Sequence, residues 1–390
     1  MRALERPSTA QLLRYFLYLG SLGFGGPVAL VGYMQRDLVE QRGWVAKSVY
    51  KKGLALSQLA PGPLAAQLAI CLGYAHSRVW GATLVSLAFI LPSYLMTVGI
   101  GMLYVRYGGL PWMQATFYGV GAVVVAIIVR AAWKLTRLTV GADRLLRGIF
   151  VGMAAVTAWT ESEMASLFVL SGVVALFAHA PPRWVARLLG ARVSLWALAP
   201  LPAFWVSGLD GAASGETLGR ILWFFAKAGA FVFGSGLAIV PFLYGGVVQE
   251  YAWLSDKQFL DAVAVAMLTP GPVVITVAFI GYLVAGQAGA LLAALGVFLP
   301  VYLFVVIPYP WFDRVSENPQ VKAFVDGVTA AAAGAIAGAC LVLARRAVVD
   351  VPTLLMALAA VGVTWRYRVP EPVLIAAGAA VGFLVFWGRR

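Results

Sequence analysis

Long apolar stretches separated by short charged connections run through most of the chain. The stretches 164–180, 221–248, 259–283 and 288–308 are almost free of charged residues. A helix that crosses a membrane needs about 20 apolar residues. Lipid offers no hydrogen-bond partners to an open strand, so such segments are expected to be helical. The pattern predicts an all-α polytopic membrane protein.

The same pattern divides the chain into about 13 transmembrane helices. Their predicted bounds are 11–34, 54–75, 79–105, 112–134, 145–160, 164–180, 193–209, 218–247, 259–284, 287–311, 322–344, 351–365 and 371–388.

Composition and charge agree with this class. Only 12% of the residues are charged and 62% are hydrophobic, whereas a soluble domain carries about 25% charged residues. The net charge of +13 lies mostly in short loops, where Lys and Arg orient helices. We therefore expect no nucleic-acid partner and a multi-pass membrane protein.

Residues that could support catalysis or cofactor binding are few. Cys71 and Cys340 each lie in an apolar run, and His76 and His179 are far apart without acidic neighbours. A disulfide framework, a metal site and a nucleotide phosphate loop are not expected. We predict no cofactor and no enzymatic activity.

An internal repeat links the two halves of the chain. Three motifs recur with an offset of 209 residues: Phe24-Gly25 as Phe233-Gly234, Trp44 as Trp253, and Pro61-Gly62-Pro63 as Pro270-Gly271-Pro272. After a one-residue gap the register continues, for example from Leu91-Pro92 to Leu299-Pro300. So many matching Gly, Pro and Trp positions indicate two related halves.

The parity of the spans predicts how the halves are related. We expect a first repeat at 11–180, a connecting segment with one span at 181–217, and a second repeat at 218–390. Six spans followed by a connecting seventh make the second repeat inverted, which is a common transporter architecture. With the N-terminus inside the cell, the basic residues between 36 and 52 are expected outside.

Both Gly/Pro clusters predict helices broken near the middle of the bilayer. Pro removes a helix donor and clusters of Gly disfavour a helix, as at 21–27 and 61–63 and their second copies. A break exposes the N-terminus of the next half-helix, which attracts anions. The predicted substrate-binding residues are Gly25, Gly26, Pro27, Pro61, Gly62, Pro63, Gln67, Lys227, Gly234, Ser235, Gly236, Thr269, Pro270, Gly271, Pro272 and Thr276.

Each of these predictions has a plainer alternative. Gly and Pro in membrane helices often serve close packing or a kink. Lys227 either meets the substrate or extends its ammonium to the membrane surface. Asp261 either carries a coupling proton or caps its helix at the surface, and we favour the cap.

These motifs resemble the chromate ion transporter family in its long two-domain form. The resemblance rests on 24–27, Trp44, 61–63 with Gln67, 89–92, 233–234, 269–272, 279–282 and 298–300. It implies export of chromate from the bacterial cytoplasm across the inner membrane, with sulfate as the structural analogue, driven by an ion gradient.

Three functions are compatible with these observations. The first is a secondary active transporter that works by alternating access on chromate or a sulfate-like oxyanion, with a proton as the candidate coupling ion. The second is an anion channel or a sulfate-type carrier for another anion, and the third is a structural or sensory membrane protein. A homodimer in the lipid bilayer is the candidate assembly. We favour the first function.

Overall fold

The computed structural model describes residues 7–24, 26–107, 111–141, 143–160, 165–181, 215–231, 239–312, 318–367 and 369–388. Their regular secondary structure is entirely helical, which confirms the predicted all-α class. The predicted seventh span, 193–209, lies outside the described residues, as do Gly25 and the stretch Gly234-Ser235-Gly236.

The described helices form two series of seven in the same order. The first series is α1 Thr9–Leu22, α2 Gly26–Met34, α3 Lys47–Leu59, α4 Leu64–Tyr107, α5 Pro111–Thr139, α6 Arg144–Thr160 and α7 Ala165–His179. The second series is α8 Gly215–Phe231, α9 Ile239–Tyr244, α10 Asp256–Leu268, α11 Thr276–Val306, α12 Pro319–Ala347, α13 Val351–Arg366 and α14 Glu371–Gly388. Helices α2 and α9 each continue into a π-helical turn, at Gln35–Gln41 and Gly245–Glu250.

Within the described part of the chain, four helical segments are long and apolar enough to cross a membrane. They are Leu64–Tyr107, Pro111–Arg130, Val273–Trp311 and Pro319–Ala347. Shorter apolar helices include Ser166–His179, Val351–Arg366 and Glu371–Val385.

Helix α4 reverses direction at Ser77–Arg78. Arg78 has φ 51° and ψ −136°, far from helical values. A β-carbon added to Gly73 would lie 2.5 Å from the carbonyl oxygen of Gly81, although eight residues of straight helix span about 12 Å. The 44 residues of α4 therefore form a short arm, 64–76, and a long arm, 79–107, that lie antiparallel. The absence of side chains at these glycines lets the two backbones touch.

Helix α11 reverses in the same way at the equivalent residues. Ala285 and Gly286 have φ/ψ of −145°/29° and 59°/−146°, close to the −143°/35° and 51°/−136° of Ser77 and Arg78. The repeat recognised in the sequence thus extends to a matched backbone reversal.

The first four helical segments form two hairpins that open on one side of the protein. The Tyr15 hydroxyl of α1 donates to the Asp37 carboxylate that follows α2, at 3.3 Å, so α2 runs back along α1. Gly53 of α3 lies against Cys71 in the short arm of α4. Thr9 and His76, at the two outer ends, are 3.2 Å apart between Oγ1 and Nε2. We call this side the first face and the opposite side the second face.

This arrangement differs from the sequence prediction for 11–34 and 54–75. Each was predicted as one crossing, but the described helices on either side of each Gly/Pro cluster lie alongside each other, as expected where Gly and Pro interrupt a helix. The basic residues between the two hairpins consequently lie on the first face with the N-terminus, and the expectation that they lie across the membrane from the N-terminus was wrong. These residues are Arg36, Arg42, Lys47, Lys51 and Lys52.

The second copy is built alike and inserted from the second face. Phe224 of α8 stacks on Phe242 of α9 with ring centroids 5.4 Å apart, which closes the equivalent hairpin. Thr83, near the start of the long arm of α4, is 2.7 Å from the Tyr302 hydroxyl near the end of α11. Equivalent long arms therefore run antiparallel, as the predicted inverted repeat requires.

The remaining helices join the two copies, because one helix of each copy packs against helices of the other copy. Helix α5 packs against α13 and α14, and its counterpart α12 packs against α6 and α7. Small residues permit these close contacts, which is the usual solution for helices in lipid. Gly334 of α12, for example, faces the Phe150 carbonyl of α6.

Cysteine labelling tests the hairpins. We expect Gln11→Cys and Lys47→Cys, both exposed, to react with a membrane-impermeant thiol reagent from the same side of the membrane. Exposed Ser255→Cys should react from the other side. The native Cys71 and Cys340 are buried and should give little background. Labelling of positions 11 and 47 from opposite sides would contradict the hairpin and support a single membrane crossing at 11–34.

Candidate functional site

The hairpin tips of the two copies meet in the interior. The Gly271 N–H, at the tip between α10 and α11, donates to the Gly23 carbonyl at the end of α1, at 3.0 Å. The Ser93 hydroxyl, on the long arm of α4, donates to the Pro270 carbonyl at 2.7 Å and lies 3.2 Å from the Gly20 carbonyl. A tip inserted from the second face is thereby held by two elements of the first copy.

The tip between α3 and α4 is tied together by Gln67. Its side-chain amide donates to the carbonyls of Pro61 at 2.7 Å and Ala60 at 3.3 Å. Gly62 has φ +140°, and a β-carbon there would lie 3.1 Å from Val301 on the long arm of α11. Val301 matches Ser93 in the repeat register. Each tip therefore packs against the long arm of the other copy.

Several helix N-termini point into this region. The return arms begin at Gly26, at Leu64 and, through a 3₁₀ turn, at Val273. In the α4 arm the first intrahelical bond runs from the Gln67 N–H to the Pro63 carbonyl, so the preceding N–H groups lack helical acceptors. Free N–H groups and helix dipoles of this orientation attract anions.

Two polar atoms near the tips have no hydrogen-bond partner among the described residues. They are Oε1 of Gln67 and Oγ1 of Thr97, and both side chains are fully buried. Thr97 lies one turn beyond Ser93 on the α4 arm. A buried hydroxyl without a partner is costly, and an oxyanion could accept its hydrogen bond.

Sequence reasoning missed Ser93 and Thr97. In the repeat register they correspond to Val301 and Val305, so a search for polar groups present in both copies does not find them. The available signal was a hydroxyl directly after Leu91-Pro92, a motif that the repeat had already marked.

Other predicted residues take different positions. The Thr276 and Thr269 hydroxyls donate to Val273 and Ala266 of their own segments, so their donors are used locally. Pro27 is half-buried in the first turn of α2. Lys227 is half-buried on α8 and forms no ion pair with a described residue. Substrate contact by these residues stays a prediction.

The position of Asp261 differs from the surface helix cap that we favoured from the sequence. Ser255, not Asp261, caps α10. Asp261 lies in the second turn with 4% of its surface exposed and accepts a hydrogen bond from the Tyr104 hydroxyl at 2.7 Å. A surface cap is therefore wrong.

A basic cavity of about 410 Å³ opens near the first face. It is lined by Gln11, Arg14, Tyr15, Tyr18, Arg42 and Trp44. The Arg42 guanidinium lies 4.6 Å from the centre of the Trp44 ring. At the equivalent place in the second copy, Tyr251 stacks on Trp253 with ring centroids 4.5 Å apart. The two ends of the protein thus present different chemistry to anions.

Broken helices whose N-termini meet between inverted repeats define a polytopic membrane protein of the transporter class. The family model described as "Chromate transporter" matches residues 10–193 and 219–383. The chain belongs to the chromate transporter family.

Named relatives cover almost the whole chain. A chromate transport protein of Cupriavidus metallidurans is 58% identical over 96% of this chain and 93% of its own length. A probable chromate transport protein of Synechococcus elongatus is 53% identical over 98% of this chain and 96% of its own length. A chromate transport protein of Pseudomonas aeruginosa is 33% identical over 97% of this chain and 93% of its own length. No solved structure matches the chain.

The contact between Gly271 and Ser93 can be tested by adding one methyl group. Gly271 has φ +90° and its β-carbon would collide with the Ser93 hydroxyl. An L-residue at positive φ costs about 1–2 kcal/mol, so we expect Gly271→Ala to lose most oxyanion flux in proteoliposomes and to lower the melting temperature. Adding Ser93→Ala should relieve part of the steric conflict.

Gly99→Ala is the matched control, because nothing lies within 4 Å of a β-carbon at that position. It should transport like the wild type. Equal flux through the Gly271 and Gly99 variants would show that the tip contact is dispensable.

Lys227→Ala tests the predicted role of that charge. A hydrogen bond to a charged group contributes about 1.5–3 kcal/mol. If Lys227 meets the oxyanion, KM should rise roughly tenfold or more with little change in membrane yield. Exposed Lys322→Ala is the control. An unchanged KM would leave Lys227 as an anchor at the membrane surface.

Proposed function

We propose that this protein is a secondary active transporter that exports chromate across the bacterial inner membrane by alternating access. The observation that supports this most directly is the junction of Gly271, Gly23 and Ser93. There, backbone from oppositely inserted hairpins meets at the start of several helices.

The chemistry of the tips favours an oxyanion over a cation. Backbone N–H groups and hydroxyls can donate to oxygen, and carboxylates that would offset a cation are not found at the described tips. Chromate is the substrate in the names of the relatives at 58% and 33% identity. Sulfate has the same tetrahedral shape and charge, so it is the competing substrate that this site would recognise.

Alternating access follows from how the tips are held. Each tip packs against the long arm of the other copy through few contacts, so the hairpins can move at their tips while helices α5 to α7 and α12 to α14 stay packed together. Opening one set of tips would connect the site to the first face, and opening the other set would connect it to the second face. Rocking of inverted repeats around a central site is the usual form of this motion.

Charge supports the direction of transport. The first face carries Arg36, Arg42 and Lys47 beside the basic cavity. Basic residues concentrate on the cytoplasmic side of membrane proteins, so their presence on the first face favours entry of cytoplasmic oxyanions through this cavity.

Flux into inside-out proteoliposomes tests the function. We expect saturable chromate uptake that responds to an imposed pH gradient and is inhibited by sulfate, which has the same tetrahedral shape and charge. Single-channel currents without gradient coupling would indicate the channel alternative. Equal chromate and sulfate flux with and without protein would exclude transport.

A further inference from the structure

Asp261 is an unusual group for its position. Among the described residues it is the one carboxylate that is buried. It sits on α10, the entering arm of the hairpin whose tip contains Gly271. Its hydrogen-bond donor, Tyr104, comes from the long arm of α4, so the bond joins the two copies.

The surroundings of Asp261 offer little to stabilise a negative charge. The Tyr104 ring is enclosed edge-on by Phe117 and Phe279, with centroids 5.6 Å and 5.4 Å away. The cation that acts on Asp261 from its own helix is Lys257, one turn earlier and exposed. Among the described groups, none of the cations makes an ion pair with Asp261. An isolated carboxylate in an apolar environment is costly, and taking up a proton removes that cost.

The nearby acidic residue behaves differently. Asp256, at the start of the same helix, pairs with Arg346 at 2.7 Å and accepts from the Tyr244 hydroxyl at 2.6 Å. Its charge is compensated by a cation, whereas that of Asp261 is not. Asp256 therefore serves as a natural control for Asp261.

Two hydrogen bonds connect the same pair of elements at different depths. Tyr104 donates to Asp261, and Ser93 donates to Pro270. Ser93 and Tyr104 are about 16 Å apart along the α4 arm. Protonation would turn the Asp261 acceptor from charged to neutral and weaken the outer bond. A change at Asp261 can thus alter how firmly the α4 arm holds the tip at the oxyanion site.

The buried carboxylate occurs in the second copy and is replaced by a cation at the equivalent position of the first copy. Asp261 and Lys52 are equivalent, each the sixth residue of a 13-residue helix. Lys52 lies near the first face with its ammonium 5.1 Å from the Tyr309 ring centre. The inverted copies therefore place a cation near one face and a buried carboxylate near the other.

We infer that Asp261 is the binding site of the coupling proton, which enters from the second face in exchange for the outgoing oxyanion. The carboxylate takes up one proton to become a carboxylic acid, and no electrons are transferred. This inference rests on the proposed transport function and assigns its coupling to one side chain and its partner, Tyr104.

Asp261→Asn in proteoliposomes gives the sharpest test. We expect chromate flux driven by a pH gradient to fall roughly tenfold or more, in the range of known coupling effects. Exchange of chromate for chromate at equal pH on both sides should continue, because it needs no net proton movement. Asp256→Asn should keep the full response to the gradient.

Tyr104→Phe tests the partner independently. Loss of a donor to the charged carboxylate favours the protonated form, so the pH of half-maximal driven flux should move to a higher value with coupling retained. If Asp261→Asn fails to reach the membrane, Tyr104→Phe and Asp261→Glu decide the question. Asp261→Glu should keep coupling because it retains the carboxylate.

The outcomes separate the two proposals. Absence of chromate flux in the wild type refutes the transport function itself. With normal wild-type flux, a full gradient response in Asp261→Asn, loss of exchange together with driven flux in a folded Asp261→Asn, or an unchanged pH profile in Tyr104→Phe each overturns the proton site alone.

Discussion

Backbone hydrogen bonding deep in the membrane constrains this whole structure. Lipid cannot satisfy N–H and C=O groups, so irregular backbone must find partners in protein or line a cavity. Here the tip at Gly271 is satisfied from the other copy, by the Gly23 carbonyl and the Ser93 hydroxyl. The inverted arrangement is what brings these partners together, because each tip needs a long arm that approaches from the opposite face.

That constraint also explains how a nearly uncharged interior could recognise a dianion. Hydration must be replaced, and free N–H groups at helix starts can replace it without placing a full positive charge in lipid. Fixed dipoles distinguish sign and shape better than they distinguish one tetrahedral oxyanion from another. Positive side chains are instead gathered at the first face, where water can solvate Arg42 and its neighbours.

The two copies differ from exact two-fold symmetry in their side chains more than in their backbones. The backbone reversals of α4 and α11 are nearly identical. The side chains at equivalent positions differ, since Ser93 corresponds to Val301 and Lys52 corresponds to Asp261. The first face has an open basic cavity and the second copy fills the same place with stacked rings. In a perfectly symmetric pair of repeats the two faces would be chemically equivalent, so any difference in how the two faces meet an anion must come from such departures.

The sequence by itself determined the membrane class, the helical fold, the repeat and the places where helices break. These follow from local rules, since apolar length and Gly/Pro content act within a few residues. Only the tertiary structure decided that 11–34 and 54–75 fold back, because half a crossing has the same composition as a whole one. Likewise Ser93, Thr97 and the burial of Asp261 depend on which distant helix lies alongside, and local patterns contain no information about that.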